Sequence, residues 1–321
     1  MKPPFLATGL AVILATVTTN SHPGFAESQH LANLPNPNDA GAYINRGNAR
    51  SELGDKEGAI KDYNEALRIN PNYAGAYYNR GTVRRELGDK EGAIKDYNEA
   101  LRINPNDADA YYNRGNARRE LGDKEGAIKD YNEALRINPN YAKAYINRGN
   151  ARSELGDKEG AIKDYNEALR INPNYAEAYY NRGTVRRELG DKEGAIKDYN
   201  EALRINPNDA DAYYNRGNAR RELGDKEGAI KDYNEALRIN PNYAKAYINR
   251  GNVRSELGDK EGAIKDYNEA LRINPNYAEA YYNRGTVRCE LGDKEGAIKD
   301  YNEALRINPN DADAYYNRGN A

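Results

Sequence analysis

The sequence has few of the residues that usually carry catalysis or covalent cross-links. Its 321 residues include one cysteine, two histidines and no tryptophan. A single cysteine, Cys289, cannot form a disulfide within the chain. His22 and His30 lie near the N-terminus, so the rest of the chain has no histidine for a Ser–His or Cys–His pair. We therefore predict no catalytic residues, and an enzyme is only a remote alternative.

The sequence also has no excess of one charge and no metal-binding motif. Its 48 basic and 50 acidic residues leave a net charge of -2, whereas proteins that bind nucleic acid usually show a basic excess. The acidic run that begins at Asn104 has neither the glycine nor the glutamate of a calcium loop. Its residues Asp107 and Asp109 suit the start of a helix instead. We predict no nucleic-acid partner, no metal and no cofactor.

The first 26 residues have the pattern of a secretory signal peptide. Lys2 precedes a largely apolar run of 13 residues, Phe5 to Val17, and Ala26 ends a stretch suited to a signal peptidase. The run is shorter than the roughly 20 residues that span a bilayer. We predict cleavage after Ala26, no stable membrane span afterwards, and a periplasmic or secreted protein.

What the sequence does contain is one unit copied many times. Counting Ala40 as position 1, the chain has eight full units of 34 residues over residues 40–311, after a short lead-in at 27–39. A truncated ninth unit, 312–321, contains only the start of a first helix, which we expect to be helical but frayed. Units also recur in triplets of 102 residues. Such periods are typical of stacked repeat architectures.

Each unit predicts a pair of helices. The first helix is expected from about position 2 to position 14, and Gly54 at position 15 suits a helix end. Asp55 then suits the N-cap of the second helix. Ala59, Tyr63 and Leu67 form part of an apolar stripe at helical spacing on that helix. One pair cannot bury its own stripe, so the units must stack.

The unit resembles the tetratricopeptide repeat family. The resemblance rests on the 34-residue length and on Gly47, Ala59, Tyr63, Ala66 and Pro71 at positions 8, 20, 24, 27 and 32. It implies an all-α, right-handed solenoid of helix–turn–helix units, with first helices lining a concave groove. The family also implies a non-catalytic scaffold that binds a protein segment or extended peptide.

The unit departs from that family at positions 7 and 11, which are arginines in every full unit. In a hairpin that turns at Gly54, position 7 lies level with position 23, an aspartate. We predict an ion pair between positions 7 and 23 of each unit, and expect the arginine at position 11 to share the acid. The first three predicted pairs are Arg46 with Asp62, Arg80 with Asp96 and Arg114 with Asp130.

Sequence differences between units concentrate where a ligand would bind. Among the full units, 28 of 34 positions never vary, and the variable ones are 2, 5, 9, 10, 12 and 34. The resemblance places all of these except position 10 on the groove. Tyrosine, asparagine and arginine suit an extended segment with some acidic groups. The predicted groove residues are Asn48, Tyr78, Arg85, Tyr112, Asn116, Arg119, Lys143, Asn150, Tyr180, Arg187, Tyr214, Asn218, Arg221, Lys245 and Tyr282.

Two other interpretations stay open at the level of sequence. Triplet copying leaves few independent changes, so the groove pattern also fits a merely solvated wall. The nearly identical units also allow homo-association through the ends of the array, which would form a structural rod. Molar mass measured by light scattering across concentrations separates a rod from a monomeric scaffold.

Overall fold

A computed structural model describes residues 38–321, and the predicted signal peptide and most of the lead-in lie outside these residues. The described chain contains 17 helices and no strand, which confirms the predicted all-α solenoid. The first helices of the units are α1 (Ala40–Glu52), α3 (Ala74–Glu86), α5 (Ala108–Glu120), α7 (Ala142–Glu154), α9 (Ala176–Glu188), α11 (Ala210–Glu222), α13 (Ala244–Glu256), α15 (Ala278–Glu290) and α17 (Ala312–Asn320). The second helices are α2 (Lys56–Ile69), α4 (Lys90–Ile103), α6 (Lys124–Ile137), α8 (Lys158–Ile171), α10 (Lys192–Ile205), α12 (Lys226–Ile239), α14 (Lys260–Ile273) and α16 (Lys294–Ile307).

The turn inside each unit is fixed by a glycine and an aspartate. Gly54 has a φ of +88°, a left-handed conformation that favours glycine. The Gly54 amide donates to the Ser51 carbonyl at 3.1 Å, and the Asp55 amide donates to the Arg50 carbonyl at 2.9 Å. These two bonds form a Schellman motif, which ends α1 one residue earlier than predicted. Asp55 then caps α2 by accepting from the Gly58 amide at 2.9 Å.

The junction between units differs from one copy to the next. Where position 34 is aspartate, it caps the following helix, as when Asp107 accepts from the Ala110 amide at 3.0 Å. Where position 34 is tyrosine, as at Tyr73 and Tyr141, the helix has no side-chain cap. The acidic run at residues 104–113 therefore serves a helix N-terminus, as the sequence indicated. The short α17 is helical, and its fraying stays a prediction.

The units stack through alternating contacts. Each first helix packs on the second helix of its own unit, and that second helix packs on the first helix of the next unit. The core of each full unit consists of alanines, one tyrosine ring and one leucine, with an isoleucine or valine added in several units. In the first unit, Ala59 and Tyr63 are at most 1% exposed and Leu67 is 7% exposed. A Cβ added at Gly47 would lie 2.7 Å from the Tyr63 ring. Glycine at position 8 therefore lets the first helix approach that ring.

The predicted ion pairs are present in every full unit. Arg46 donates to Asp62 from Nε at 2.9 Å and from Nη2 at 2.5 Å, and the same geometry joins Arg80 to Asp96 and Arg114 to Asp130. Arg50 Nη1 lies 3.1 Å from Asp62 Oδ2, so the second arginine shares the acid. Each aspartate is almost fully buried, and paired guanidinium groups compensate its charge.

No helix among residues 38–321 is long and apolar enough to cross a membrane. Cys289 is a half-buried free thiol on α15.

Candidate functional site

The variable positions lie on the first helices, which form the inner side of the stack. Consecutive first helices contact each other, whereas consecutive second helices make no comparable contact within residues 38–321. The stack therefore curves around the first helices. Positions 2, 5, 9 and 12 lie three or four residues apart and so share one face of each first helix. We call this face the groove wall.

The groove wall carries clefts that recur with the triplet. A cleft of about 410 Å³ lies between α7 and α9 and includes Ser153 and Thr184 in its lining. An equivalent cleft of about 400 Å³ between α13 and α15 includes Ser255 and Thr286. The lining residues of the two correspond at a spacing of 102 residues. A small serine at position 12, followed by a small threonine at position 9 of the next unit, leaves room for the cleft.

The asparagines at position 9 connect neighbouring units. Asn150 Oδ1 accepts from the Tyr165 hydroxyl at 2.8 Å within its unit, and from Asn181 Nδ2 at 2.9 Å in the next unit. The other three predicted asparagines, Asn48, Asn116 and Asn218, make the equivalent two bonds, and so does Asn252 at the same position of the seventh unit. The carbonyl oxygen of each predicted asparagine is thus already engaged inside the array.

The tyrosines at position 5 also bond across unit boundaries. Tyr78 Oη accepts from Asn113 Nδ2 at 2.9 Å, and Tyr112 Oη accepts from Asn147 Nδ2 at 3.1 Å. Tyr180, Tyr214 and Tyr282 make the same bond with the next unit. Burial, together with the carboxylate of Asp109, raises the pKa of Tyr78 to about 12. All five rings are half-buried, so part of each ring faces the groove.

The arginines at position 12 are paired with a glutamate of the following unit. Arg221 Nη2 lies 2.7 Å from Glu256 Oε1, and Arg119 binds Glu154, with its Nε 3.1 Å from Oε1. Longer contacts join Arg85 to Glu120 at 3.4 Å and Arg187 to Glu222 at 4.0 Å. The sequence had suggested guanidinium groups available for ligand carboxylates. The structure differs, because the offset between units brings a glutamate to each of them.

The glutamates of two of these pairs, Glu154 and Glu256, have lowered pKa values. Burial alone would raise the pKa of Glu154, but hydrogen bonds and charge from Arg119 and Lys124 outweigh it and hold that pKa below its usual value. Burial of Glu256 is outweighed in the same way by Arg221 and Lys226. Both glutamates are therefore ionised and already bound to two cations at neutral pH.

Position 2 is the variable position that is most accessible. Lys143 and Lys245, both predicted groove residues, are exposed there and form no ion pair within the described chain. Glu177 and Glu279 occupy the same position and line the two equivalent clefts of about 410 and 400 Å³. Sequence reasoning left these glutamates out of the predicted site. The variation of position 2 between lysine, glutamate, aspartate and glycine was the signal that could have included them.

Asp109 and Asp211 complete the set of charged residues at position 2 of the full units, and Asp313 holds that position in the truncated ninth unit. Asp109 Oδ1 accepts from the Tyr141 hydroxyl at 2.6 Å, and Asp211 does the same for Tyr243 at 2.6 Å. Each bond lies within one unit and joins position 2 to position 34, the residue that is the N-cap of the next first helix. Within residues 38–321, no three potential metal ligands come together.

The described geometry is that of a helical repeat with a variable inner wall. A family model for the TPR repeat matches the chain eight times, over residues 47–84, 81–118, 115–156, 149–190, 183–224, 217–258, 251–292 and 285–321. The chain belongs to the tetratricopeptide repeat family. Proteins of the TPR family generally act as scaffolds for protein–protein interaction rather than as enzymes. No curated protein matched the sequence.

Several solved structures share the TPR architecture. YrrB, whose structure is described as that of a TPR protein with an unusual peptide-binding site, is 25% identical with a TM-score of 0.51, and the match covers 58% of this chain and 96% of YrrB. A TPR protein from Parabacteroides merdae is 23% identical, with a TM-score of 0.58 and coverage of 77% and 98%. A chain of the Cut9–Hcn1 assembly is 18% identical, with a TM-score of 0.58 and coverage of 92% and 58%. The last two matches show the fold alone.

Proposed function

We propose that this TPR array is an interaction scaffold that binds a segment of another protein along its groove wall. The observation that carries the proposal is the position of the clefts. They lie on the face where the otherwise identical units differ, and residues at positions 2, 9 and 12 line them. The second helices have the same sequence in every full unit. A partner that distinguishes one unit from another must therefore contact the first helices.

The internal hydrogen bonds of the wall support this function in a second way. Because the asparagines and tyrosines of the wall are bonded across unit boundaries, their side chains are held in place before a partner arrives. A rigid tyrosine surface loses little conformational entropy when it is covered. The wall is therefore preorganised for an extended segment, and YrrB, which is described as having a peptide-binding site, offers a parallel for this use of the fold.

A pair of matched variants tests the proposed surface. The groove variant replaces four exposed position-2 residues with alanine; they are Lys143, Glu177, Lys245 and Glu279. The control replaces four exposed residues on the second helices of the fourth and seventh units; they are Glu159, Lys163, Glu261 and Lys265. Each variant removes two positive and two negative charges, so net charge is unchanged. Affinity capture followed by mass spectrometry should lose partners with the groove variant only. Loss of partners with the control variant only would place the partner-binding surface on the second helices and contradict the proposal.

The proposed location of the scaffold is outside the cytoplasm. Support comes from the sequence alone, through Lys2, the apolar run from Phe5 to Val17 and the small residue Ala26. N-terminal sequencing of the protein purified from its native cells should give a chain that starts near Glu27. A chain with Met1 intact in the soluble cytoplasm would contradict the proposal.

A further inference from the structure

Two clefts of the groove wall, one between α7 and α9 and one between α13 and α15, have the same charged lining. A third cleft, of about 450 Å³, is lined by two arginines and two glutamates whose charges balance; they are Arg187, Arg221, Glu222 and Glu256. The cleft between α7 and α9 includes Arg119, Glu154 and Glu177, and the cleft between α13 and α15 includes Arg221, Glu256 and Glu279. Both clefts also have a half-buried tyrosine of position 5 in their lining, Tyr180 in one and Tyr282 in the other. One chain therefore presents the same recognition chemistry twice.

Two of the three charged side chains in each cleft already form an ion pair with each other. Arg119 binds Glu154, and Lys124 from the preceding unit lies 3.4 Å from the same carboxylate. Glu177 forms no ion pair with any residue of 38–321 and its side chain is exposed. The unmatched charge of the lining is thus a carboxylate, and the corresponding residue of the second cleft is Glu279.

The charged side chains of each cleft act on the hydroxyl of one buried tyrosine, Tyr165 in one cleft and Tyr267 in the other. Burial raises the pKa of the Tyr165 hydroxyl, Arg119 opposes this rise, and Asp164, Glu177 and Glu154 add to it. The equivalent Tyr267 responds to Asp266, Arg221, Glu279 and Glu256. Asp164 is bound by Arg148 and Arg152, and Glu154 is bound by Arg119 and Lys124. Glu177 is therefore the one carboxylate of this set that forms no ion pair within residues 38–321.

The first unit boundary provides an internal comparison. The corresponding cleft between α1 and α3 has a volume of about 180 Å³ and no arginine in its lining. Glycine stands at residue 75, the place that Glu177 and Glu279 occupy in the later copies. This smaller cleft therefore has no unpaired carboxylate at that place.

We propose that the two equivalent clefts, between α7 and α9 and between α13 and α15, are subsites for basic side chains, so that the array binds two lysine- or arginine-bearing segments at once. The inference rests on the proposed function and specifies its ligand class. In each subsite the glutamate at position 2 would face the cation, and the adjacent tyrosine ring would offer its face. A ligand carboxylate would instead have to displace Glu154 from Arg119 while Glu177 repels it. The ligand charge is thus opposite to the acidic segment suggested by sequence.

The presence of two subsites on one chain should raise the affinity for a partner that carries two basic segments. Two weak subsites on one rigid chain bind a partner with two linked basic segments more tightly than either segment alone, because the second contact is intramolecular. Gains of about 10²- to 10⁴-fold are typical when the linker spans both sites. A partner with regularly spaced basic segments would fit this arrangement.

Defined peptides test the charge of the ligand. The probes are a short acetylated and amidated peptide that alternates alanine with lysine, and its counterpart with glutamate in place of lysine. Calorimetric titration of the mature chain at low salt should give two equivalent sites for the lysine peptide. The glutamate peptide should bind on the order of tenfold more weakly, since like charges oppose association. Tighter binding of the glutamate peptide would overturn the proposal.

Variants test the location of the subsites. Glu177→Gln and Glu279→Gln should each reduce the stoichiometry from two peptides to one, and the double variant should remove both sites. The matched control is Glu159→Gln with Glu261→Gln, on the exposed face of the second helices. It should bind as the unchanged chain does. Two sites that persist in the double variant would overturn the proposal.

A linked peptide tests bivalency. Two copies of the lysine peptide joined by a series of flexible linkers should bind at least tenfold more tightly than one copy at the best linker length. No gain at any length would contradict simultaneous binding. If the lysine peptide fails while native partners are still lost with the groove variant described above, the ligand class is wrong and the proposed function stands.

Discussion

Arg114 and Asp130 form a two-pronged ion pair inside the third unit, with Nε–Oδ2 at 2.9 Å and Nη2–Oδ1 at 2.6 Å. Arg114 also donates from Nη1 to Asn98 of the preceding unit at 2.7 Å and lies over the Tyr111 ring. The aspartate receives a further bond from Arg118 at 2.9 Å. One buried carboxylate thus joins the two helices of its unit, and its arginine extends the network to the neighbouring unit.

Removing the charge of Asp130 should destabilise the array strongly. In Asp130→Asn, two arginines lose their common anion in a buried place, a change that typically costs about 3–5 kcal/mol. Urea unfolding followed by far-ultraviolet circular dichroism measures the loss. The matched control is Glu133→Gln, which removes the exposed partner of Arg136 at 2.8 Å and should cost less than about 1 kcal/mol. Equal effects of the two substitutions would contradict the structural role of the buried pair.

Asn116 should be replaceable by threonine but not by alanine. Its Oδ1 accepts from Tyr131 at 2.9 Å and from Asn147 at 2.8 Å, so Asn116→Ala leaves two donors without this acceptor, at a cost of about 1–3 kcal/mol. In the second unit, Thr82 Oγ1 lies 3.2 Å from the Tyr97 hydroxyl at the equivalent place. Asn116→Thr should therefore cost clearly less in the same unfolding experiment. A larger loss with threonine would refute the interpretation.

Two glycines on first helices should respond oppositely to alanine. A Cβ at Gly115 would lie 2.8 Å from the Tyr131 ring, and such overpacking typically costs about 1–3 kcal/mol. A Cβ at Gly75 would meet only the Tyr73 ring, at 3.6 Å. Gly75→Ala should stabilise the chain by up to about 1 kcal/mol, since alanine favours helix. Thermal unfolding of the two variants checks the prediction, and a stabilising Gly115→Ala would contradict it.

The stability of the array should fall in strong alkali. Burial, with the carboxylate of Asp62 adding to it, raises the pKa of Tyr63 from 10.0 to about 12. Burial and Asp211 do the same for Tyr180. The folded state thus keeps its protons where the unfolded chain loses them, so this contribution is constant below about pH 10 and is lost as the pH rises from about 10 to about 12.

Parallel pH titrations measure this loss. Tyrosinate absorbance and helical circular dichroism should change together above about pH 10, because ionisation of the buried tyrosines accompanies unfolding. Full ionisation of the tyrosines near pH 10 with the helices intact would contradict the account.

Contacts within one unit could be predicted from sequence, and contacts between units could not. The hairpin that turns at Gly54 places position 7 level with position 23, which was enough to predict the pair of Arg46 and Asp62. The bond from Asn181 to Asn150 joins residues 31 apart, and the pair of Arg119 and Glu154 joins residues 35 apart. Those partners depend on the offset between stacked units, which the repeat length alone does not fix.

The same limit explains what was missed in the groove. Variation among the copies indicated one shared face, because positions 2, 5, 9 and 12 lie together on the first helices. It did not show which side chains are already engaged there. The shape of the cleft at Ser153 and Thr184 arises from small residues in two adjacent units, so it appears only when those units are placed side by side.

The central claim is that a partner lies on the groove wall, and site-specific photo-cross-linking tests it most directly. A photoreactive amino acid is placed at Ser153 in one chain and at the exposed Lys163 on α8 in another. Each is irradiated with the native cell fraction, and cross-linked products are identified by mass spectrometry. The account predicts a specific product from residue 153 that is lost on competition with unlabelled chain, and none from residue 163. A specific product from residue 163 and none from residue 153 would contradict it.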